Sequence, residues 1–268
     1  MSKRGKQGAR TTNWDSVAHW YNGWVGKRGS DHHRKLAIPA LMELLQPEVN
    51  EQILDVGCGQ GVLSPFIVRA GAQYTGVDAS SRLIGLARRH HKALGRFVQG
   101  DACKLGSLSV LGRGRFDAAV FLLSIQNMGT LEDIFQSVDR VLKVGGRIVL
   151  LMTHPCFRLP RQSGWGWDRR RQLRYRRVDR YLTPFHMTEK IDTGRKHGKT
   201  VSFHRPLEAY INGLSALGLL VDRVQEIPTF VTKSVGPWHK AEDRANREIP
   251  LFLGIRARNW IDRAERGR

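Results

Sequence analysis

Glycines and acidic residues recur in this sequence at spacings that suit a binding site for a small, positively charged ligand. Residues 53–61 are typical of a buried strand that runs into the turn Gly57-x-Gly59-x-Gly61. Glycine allows the backbone angles and the close ligand approach that a Cβ atom would prevent. The spacing is one residue short of the Gly-x-Gly-x-x-Gly turn that binds a pyrophosphate. Asp55 precedes the first glycine, and its carboxylate would repel a pyrophosphate but would suit a cation.

Two further acids follow apolar runs downstream. Asp78 ends the run at 74–77, about 20 residues after the first glycine, where a ribose-binding carboxylate belongs in nucleotide-binding α/β folds. Asp101 lies at the end of another predicted strand, 96–102. In a doubly wound sheet, ligands bind outside the carboxyl ends of the strands at the switch point. We therefore expect the glycine turn and these acids to meet at one edge of a sheet.

A parallel sheet is needed to position these groups. Stretches typical of strands, at 53–56, 74–78, 96–102, 116–124 and 147–152, alternate with stretches of helical periodicity. This alternation predicts a doubly wound α/β fold. Two late runs, 220–227 and 250–258, predict a pair of closing strands.

In these motifs the sequence resembles the class I S-adenosylmethionine-dependent methyltransferases. The shared features are Asp-x-Gly-x-Gly-x-Gly at 55–61, the acid Asp78 after strand two, Gly-Asp-Ala at 100–102, and Gly-Gly at 145–146 before strand five. The resemblance covers residues 15–258. It implies a seven-stranded, mostly parallel sheet that ends in an antiparallel hairpin, with an inserted basic cap after strand five.

The resemblance also implies S-adenosylmethionine as the cofactor. Asp78 would hold the ribose hydroxyls, Asp101 the adenine amino group, and Asp55 would help to hold the methionine moiety. Gly57 and Gly59 would let the cofactor approach the backbone closely. The full set of expected cofactor-binding residues is Asp55, Gly57, Gly59, Asp78, Ala79, Asp101, Ala102, Leu122 and Tyr21.

Aromatic residues are concentrated ahead of the glycine turn, at Trp14, Trp20, Tyr21 and Trp24. In the resembled family such a segment folds over the cofactor as a lid, and a lid excludes water from the site. The alternative is ordinary packing of a surface helix. Tyr21 is the aromatic residue that we expect to touch the cofactor. Neighbouring histidines at 32–33 would face different directions in a helix, so at most one of them should meet the substrate.

Methyl transfer from a sulfonium requires alignment of donor and acceptor and often the removal of one proton. His154, at the end of strand five, is the candidate base because an imidazole titrates near neutral pH; the alternative is a structural or substrate-orienting role. Asn127, after strand four, could orient the acceptor or cap a helix. Cys156 loosely resembles the cysteine that ends strand five in RNA cytosine-C5 methyltransferases. Their companion Pro-Cys is missing here, which favours a buried, inert thiol.

Residues 157–200 interleave arginines with aromatic residues, and 161–181 hold eight arginines against two aspartates. Arginine with Trp or Tyr can bind phosphates and stack on bases. The same pattern fits a hairpin with Leu173, Tyr175 and Val178 inward and the arginines outward. We expect a cap hairpin over the substrate site. The expected substrate contacts are Arg161, Trp165, His33 and His204, the last of which could instead cap the final helix predicted from 202.

The chain carries a net charge of +20, and residues 154–268 hold 24 Lys and Arg against 12 acids. Such an excess favours polyanionic partners, or else a solvated, arginine-rich surface. Three widely spaced cysteines, Cys58, Cys103 and Cys156, argue against disulfides and for a reducing cytoplasm. No apolar run approaches the length of a membrane span. No metal-binding motif occurs either, so neither a membrane nor a metal partner is expected.

We expect one α/β domain with an insertion. Its parts are a disordered basic tail (1–11), an aromatic lid and helix (12–46), a cofactor-binding core (47–156), an arginine-aromatic cap (157–200), a closing helix and strands (201–258), and a basic tail (259–268). The expected activity is methyl transfer to an O or N atom of a small molecule. The alternative is methylation of tRNA or rRNA, and a third possibility is a non-catalytic RNA-binding module. A nicotinamide dehydrogenase fits poorly because of the glycine spacing and the terminal hairpin.

Overall fold

The computed structural model describes residues 14–192, 197–231, 236 and 238–259. The α-helices in this part of the chain are α1 (Ala18–Val25), α2 (Ile38–Leu45), α3 (Ser64–Arg69), α4 (Ser81–His91), α5 (Leu131–Asp139), α6 (Leu207–Ser215) and α7 (His239–Glu248). A π-helical turn, His33–Ala37, leads into α2. Short 3-10 helices span Trp14–Ser16, Lys92–Leu94, Ala102–Ser107 and Ile125–Asn127. No helix in the described ranges is long and apolar enough to cross a bilayer.

Eleven strands lie within the described ranges. They are β1 (Gln52–Val56), β2 (Gln73–Asp78), β3 (Arg96–Gln99), β4 (Phe116–Leu122), β5 (Leu142–Thr153), β6 (Ser163–Asp168), β7 (Leu173–Val178), β8 (Phe185–Asp192), β9 (His197–His204), β10 (Leu219–Ile227) and β11 (Phe252–Asn259).

Seven of these strands form one sheet in the order β3-β2-β1-β4-β5-β11-β10. The first five run parallel, whereas β11 pairs antiparallel with both β5 and β10. The sheet therefore confirms the predicted doubly wound fold and its closing antiparallel hairpin. The chain builds outward from β1 to β3, then returns to start β4 on the other side of β1. This reversal creates a switch point at the carboxyl ends of β1 and β4.

Helices cover both faces of the sheet, which is why its central strands are continuous apolar runs. Ile53 packs on the face that carries α2 and α3, and its neighbour Leu54 packs on the face that carries α5 and α6. Both side chains are fully buried. Burial of each such side chain contributes about 1.5–3 kcal/mol, so the two apolar layers hold the strand ends rigidly.

The chain between β5 and α6 forms two antiparallel hairpins, β6–β7 and β8–β9. The prediction of which β7 residues face inward is wrong for most of the strand. Tyr175 and Val178 are exposed, whereas Arg174 and Arg176 are half-buried. Because side chains alternate along a strand, burying the two arginines turns Tyr175 to the solvent. The arginines face inward because their guanidinium groups stack on Trp165.

The final helix begins later than expected. Residues 202–204 lie in β9, and α6 begins only at Leu207, after Pro206. The helix α7 was not predicted, because its sequence is polar almost throughout and buries only Ala245 and Asn246. The two predicted tails, 1–11 and 259–268, lie outside the described residues except for Asn259, which ends β11.

Candidate active site

A cavity of about 800 Å³ opens at the carboxyl edge of the sheet. Each of the five parallel strands contributes to its wall, through its last residue or through one of the two residues that follow it. Gly57 follows β1, Asp78 ends β2, Asp101 follows β3, Leu122 ends β4 and Thr153 ends β5. This cavity, which we call the larger cavity, therefore brings together the predicted glycine turn and two of the predicted acids at the switch point.

The glycine turn brings the backbone to the cavity surface. Gly57 has a φ of +75°, and its N–H donates to the carbonyl of Val77 at 2.7 Å. A Cβ atom on Gly57 would lie 2.6 Å from both Met128 Cε and Ser124 Cβ, too close for either to stay in place. Gly59, with a φ of +55°, also lines the cavity. At Gly59 the backbone angle favours glycine, as the sequence predicts, whereas a Cβ atom there would make only ordinary contact with Tyr21.

Asp78 is held rigidly where β2 meets the cavity. Its Oδ2 accepts the N–H of Gly59 at 2.9 Å, and its Oδ1 accepts the N–H of Ser80 at 2.8 Å. Burial raises the pKa of Asp78, while these two hydrogen bonds act in the opposite direction. Such a fixed carboxylate can still accept hydrogen bonds from ligand hydroxyls, because each oxygen has a second lone pair. Ala79 lines the cavity beside it.

The base of the cavity near β3 is more open. Asp101 is exposed. Its Oδ1 accepts the N–H of Cys103 at 2.9 Å, and this hydrogen bond caps the start of the 3-10 helix after β3. Asp101 and Ala102 both line the cavity, as does Leu122 from the adjacent strand β4. These three residues therefore lie where the sequence predicted cofactor contacts.

Asp55 does not lie in the cavity wall, which corrects the prediction that it assists a bound ligand directly. It is buried beneath the turn, and its Oδ2 accepts the hydroxyl of Tyr74 at 2.7 Å. Burial raises the pKa of Asp55 to about 7, against the effect of the Tyr74 hydrogen bond. The side chain points away from the edge because Asp55 lies within β1, where alternate residues face opposite sides of the sheet.

The aromatic segment closes one side of the larger cavity. Trp14, Tyr21 and Trp24 line it, with Tyr21 packed edge-on against Trp14 at 5.4 Å between ring centroids. Burial raises the pKa of Tyr21, so its hydroxyl stays protonated. Asp15, which the sequence analysis did not select, anchors this segment: its Oδ1 accepts the hydroxyl of Ser80 at 2.5 Å. The aromatic segment is thus tied to the residue that caps α4, two residues after Asp78.

Both histidines after α1 line the cavity, so their directions do not decide which of them meets the substrate. The π-helical turn at His33–Ala37 changes the angle between successive side chains from that of an α-helix. His33 is 4% exposed, and its Nδ1 lies 2.8 Å from the hydroxyl of Ser30. Burial, with a smaller effect from His32, lowers the pKa of His33 to about 4. The ring is therefore neutral at physiological pH.

Asn127 lies at the end of the 3-10 helix after β4 and lines the larger cavity. Its Oδ1 lies 3.5 Å from the hydroxyl of Ser202, and it caps no helix, because Thr130 occupies the N-cap of α5. The backbone before it is strained: Leu123 has a φ of +52°, which is rare for a branched residue and typical of functional sites. Leu123 also lines the cavity and was not selected from the sequence.

His154 does not reach the cavity, which corrects its assignment as the base. The ring is 2% exposed, and its Nε2 lies 2.8 Å from a carboxylate oxygen of Glu226. Its Nδ1 accepts the N–H of Cys156 at 3.2 Å. Both nitrogens are therefore occupied: Nε2 joins the end of β5 to β10, and Nδ1 accepts a local backbone hydrogen bond. Cys156 is half-buried, with its Sγ 3.4 Å from the hydroxyl of Tyr181.

A second cavity, of about 290 Å³, adjoins the first and shares Gln126, Asn127 and Thr153 with it. His204 lies in this smaller cavity, where its Nε2 donates to the carbonyl of Tyr181 at 2.6 Å. His204 caps no helix, since the N-cap of α6 is Pro206. The predicted substrate contact His204 therefore lines the smaller cavity and not the larger one.

Two predicted substrate contacts line neither cavity. Arg161 is exposed at a turn, with a φ of +55°. The ring of Trp165 is covered instead by guanidinium groups, with Arg174 at 4.4 Å and Arg176 at 5.2 Å from its centroid. The sequence showed that arginines and aromatic residues alternate, but it could not show that they would pack on one another rather than on a ligand.

The two cavities have opposite charge. The described residues that line the larger one include the carboxylates of Asp78 and Asp101 but no Lys or Arg. Those lining the smaller one include three arginines, Arg158, Arg176 and Arg205, of which none was selected from the sequence. No cluster of His, Cys, Asp and Glu in the described ranges could hold a metal ion.

Comparison with known proteins identifies the core. Residues 54–150 match the family model of the methyltransferase domain. Ubiquinone biosynthesis O-methyltransferase from Dechloromonas aromatica is 31% identical over 37% of this chain and 43% of its own length. Demethylmenaquinone methyltransferase from Tropheryma whipplei is 34% identical over 43% of this chain and 48% of its own length. The chain thus spans about half the length of these curated relatives.

Solved structures extend the likeness to most of the chain. An S-adenosylmethionine-dependent methyltransferase from Mesorhizobium loti is 26% identical, with a TM-score of 0.64 over 82% of this chain and 96% of its own. A second structure, from Listeria monocytogenes, has the same fold, with 22% identity and a TM-score of 0.65 over 83% of this chain and 96% of its own. Residues 54–150 thus match the methyltransferase domain, and most of the chain shares the fold of these S-adenosylmethionine-dependent methyltransferases.

Proposed function

We propose that this protein binds S-adenosylmethionine in the larger cavity and transfers its methyl group to an O or N atom of a small organic molecule. The observation that carries the proposal is the combination, in one cavity, of a glycine turn at its surface, the fixed carboxylate of Asp78, and an absence of Lys and Arg among the described lining residues. A cavity of this charge suits a cationic ligand, and its volume of about 800 Å³ leaves room beside the cofactor.

The residues in the wall fit this cofactor. Asp78 would accept hydrogen bonds from the ribose hydroxyls, and Asp101 from the adenine amino group. Gly57 and Gly59 would let the backbone approach the ligand closely, while Tyr21 would cover it. When bound, S-adenosylmethionine supplies a methyl group on a positively charged sulfonium, which is a good leaving group.

Residues where the two cavities meet would orient the acceptor. Asn127 borders both cavities and could hold an acceptor hydroxyl or amine. His33 is the candidate to remove a proton, because its ring lines the larger cavity and is neutral above about pH 4. Since a group with so low a pKa is a weak base, alignment of the acceptor would supply most of the rate.

A small acceptor is supported by the enclosure of the site. The wall beyond the cofactor region carries large apolar groups, such as Trp24, Met128 and Phe252. The matched curated relatives are methyltransferases of ubiquinone and menaquinone biosynthesis, whose names point to small-molecule products. The three cysteines are all free thiols, in keeping with a cytoplasmic location.

Methylation of tRNA or rRNA is the second candidate, and the net charge of +20 favours it. The inward arginines of β7 weaken it, because they cover the Trp165 ring on which a base would stack. A non-catalytic RNA-binding module is less well supported, since it would need neither the glycine turn nor Asp78. Label from radioactive S-adenosylmethionine would appear in the RNA fraction of a cell extract for the second candidate, and in the small-molecule fraction for the first.

Calorimetric titration with S-adenosylmethionine tests the cofactor assignment. We expect micromolar binding by the wild type and at least a tenfold weaker affinity in Asp78→Asn, because an amide loses the charge and can accept only one of the two backbone N–H bonds. The control is Asp133→Asn, at an exposed position on α5 outside both cavities. Unchanged affinity in a folded Asp78→Asn protein would remove Asp78 from the site, and no binding by the folded wild type would overturn the function.

A further inference from the structure

The smaller cavity concentrates positive charge beside the proposed site of methyl transfer. Arg158, Arg176 and Arg205 line it, against the single carboxylate of Glu189. Within the described part of the chain, none of the three guanidinium groups forms an ion pair with a carboxylate. Buried or half-buried arginines are normally paired, so three in one small cavity require an explanation.

Neutral acceptors hold two of these side chains in position. Arg158 donates to two backbone carbonyls at 3.2 and 3.3 Å, and Arg176 donates to the carbonyl of Phe157 and the hydroxyl of Ser163, both at 2.7 Å. The Nη1 atoms of Arg158 and Arg176 take part in no hydrogen bond with the described residues. Each arginine is therefore oriented, yet it keeps its charge and a donor for another partner.

The aromatic ring of Trp165 fixes the same two groups from behind. Arg158 lies 5.1 Å and Arg176 5.2 Å from its centroid, and the two guanidinium groups are close enough for the charge of Arg176 to lower the pKa of Arg158. Arg205 belongs to the segment between β9 and α6, and its Nη2 donates to the carbonyl of Met128 at 2.7 Å. The cavity thus has cations contributed by separate segments of the chain.

This arrangement is unfavourable until an anion binds. Burial lowers the pKa of Arg158 to about 10, with repulsion from Arg176 and Arg174 adding to the effect. Burial and Arg174 lower the pKa of Arg176 in the same way, and burial lowers that of Arg205. Such shifts mean that the charged forms are poorly solvated and repel one another. A bound carboxylate or phosphate would relieve both costs, because it accepts charge-assisted hydrogen bonds from guanidinium groups.

We propose that the smaller cavity binds an anionic group, a carboxylate or a phosphate, of the methyl acceptor. The proposal rests on the function proposed above and specifies its substrate class. The anion would lie between Arg158, Arg176 and Arg205, and the rest of the acceptor would pass Asn127 towards the larger cavity. A volume of about 290 Å³ suits one small anionic group rather than a polymer.

The test uses the full chain saturated with S-adenosylhomocysteine and compares probes that share a phenyl ring and differ in the polar group attached to it. Calorimetry would measure the affinity for benzoate, for phenyl phosphate and for the neutral benzamide. We expect at least one of the two anions to bind tenfold or more tightly than benzamide, since charged hydrogen bonds are lost in the amide. Benzoate and phenyl phosphate together distinguish a carboxylate site from a phosphate site. This comparison needs no variant, so misfolding cannot obscure it.

Variants then assign the selectivity to the arginines. Arg158→Gln and Arg176→Gln should each weaken anion binding at least tenfold, with benzamide and S-adenosylhomocysteine affinities unchanged. Arg176→Lys keeps the charge but loses the planar guanidinium group, so its affinity for the anion should lie between those of the wild type and Arg176→Gln. Arg169→Gln, at an exposed position of the same hairpin, is the matched control and should change anion affinity about twofold or less.

Two results separate this proposal from the one before it. Equal affinity for the anions and benzamide, in wild-type protein that binds S-adenosylmethionine, would overturn the anion site and leave the methyltransferase function standing. Failure of the folded wild type to bind S-adenosylmethionine would overturn the proposed function itself. Selective anion binding that persists in both Gln variants would also remove the arginines from the site.

Discussion

The two adjoining cavities differ in charge and in the part of the fold that builds them. The larger cavity is acidic and is formed mainly by the ends of the parallel strands and the glycine turn. The smaller cavity is basic, and much of its wall comes from the hairpins between β5 and α6. The difference indicates a division of labour. The core would bind the cationic methyl donor, whereas the segment between β5 and α6 would select the acceptor.

Opposite charges also help to order the reactants. A cationic donor is repelled by the three arginines and attracted by Asp78, and an anionic acceptor experiences the reverse. Each ligand is therefore excluded from the other's cavity, since like-charge contacts oppose the wrong placement. Asn127, which borders both cavities, lies where the two reactants would meet.

The largest expected effect comes from filling the glycine turn of the acidic cavity. In Gly57→Ala the new Cβ would lie 2.6 Å from Met128 and Ser124, on a backbone with a φ of +75°. Both the clash and the angle oppose the change, so we expect a loss of about 2 kcal/mol or more in unfolding free energy. Affinity for S-adenosylmethionine should fall at least tenfold, measured by calorimetry on protein shown to be folded.

The matched control is Gly85→Ala in α4, where a Cβ would meet nothing within 4 Å. Gly85 lies within a helix, so alanine should raise stability by about 1 kcal/mol and leave cofactor affinity unchanged. If Gly57→Ala bound the cofactor as tightly as Gly85→Ala does, the backbone approach at Gly57 would not be part of the site. The acidic cavity would then depend on side chains alone.

Acid should affect the larger cavity through His33, whereas the guanidinium groups of the smaller cavity keep their charge over the same pH range. The unfolded chain protonates His33 as pH falls through 6.5, whereas the folded protein keeps the ring neutral to about pH 4. The stabilisation from the neutral ring is therefore complete above pH 6.5 and is lost between pH 6.5 and 4. Its full size is about 3 kcal/mol. Urea denaturation at a series of pH values measures it.

As pH falls below 6.5, His33→Asn should lose less stability than the wild type, or gain more, because buried Asp55 contributes in the opposite direction in both proteins. The slope with pH is the quantity to compare, since the substitution also changes packing. His19→Asn, at an exposed position, should keep the wild-type slope. An identical slope in His33→Asn would mean that His33 takes up its proton in the folded protein. The His33 ring would then be charged, and not neutral, beside the acceptor at pH values below 6.5.

Sequence patterns predicted the acidic cavity far better than the basic one. The glycine turn, Asp78 and Asp101 are close in sequence to the strands that carry them, and the topology of a doubly wound sheet brings strand ends together. Local pattern and global fold therefore agree at these positions. Asp55 shows the limit, because its direction depends on the alternation within β1 and on Tyr74, which a motif does not encode.

The basic cavity depended on contacts that no local pattern specifies. Arg158 and Arg161 look alike in sequence, yet only Arg158 lines a cavity, because its side chain reaches carbonyls more than 90 residues away. The face that β7 turns inward was predicted from hydrophobicity, and stacking of arginines on Trp165 reversed it. His154 failed as the base for a similar reason, since its partner Glu226 lies in β10, distant in sequence.

The smallest expected effect concerns the arginines that remain outside both cavities. Arg169 and Arg170 are exposed at the turn between β6 and β7, so the double variant Arg169→Gln/Arg170→Gln should change stability by about 0.5 kcal/mol or less. Methyl transfer into the small-molecule fraction of a cell extract should be unchanged, as in the control Lys104→Gln/Arg113→Gln, which removes two exposed charges elsewhere. If the acceptor is RNA, the same double variant would instead remove about one phosphate contact per arginine. The affinity for RNA would then depend less steeply on salt concentration. Radioactive label could appear in RNA, be lost in Arg169→Gln/Arg170→Gln and be kept in the control. That result would mean that the acceptor binds at the exposed arginines and not at the buried ones.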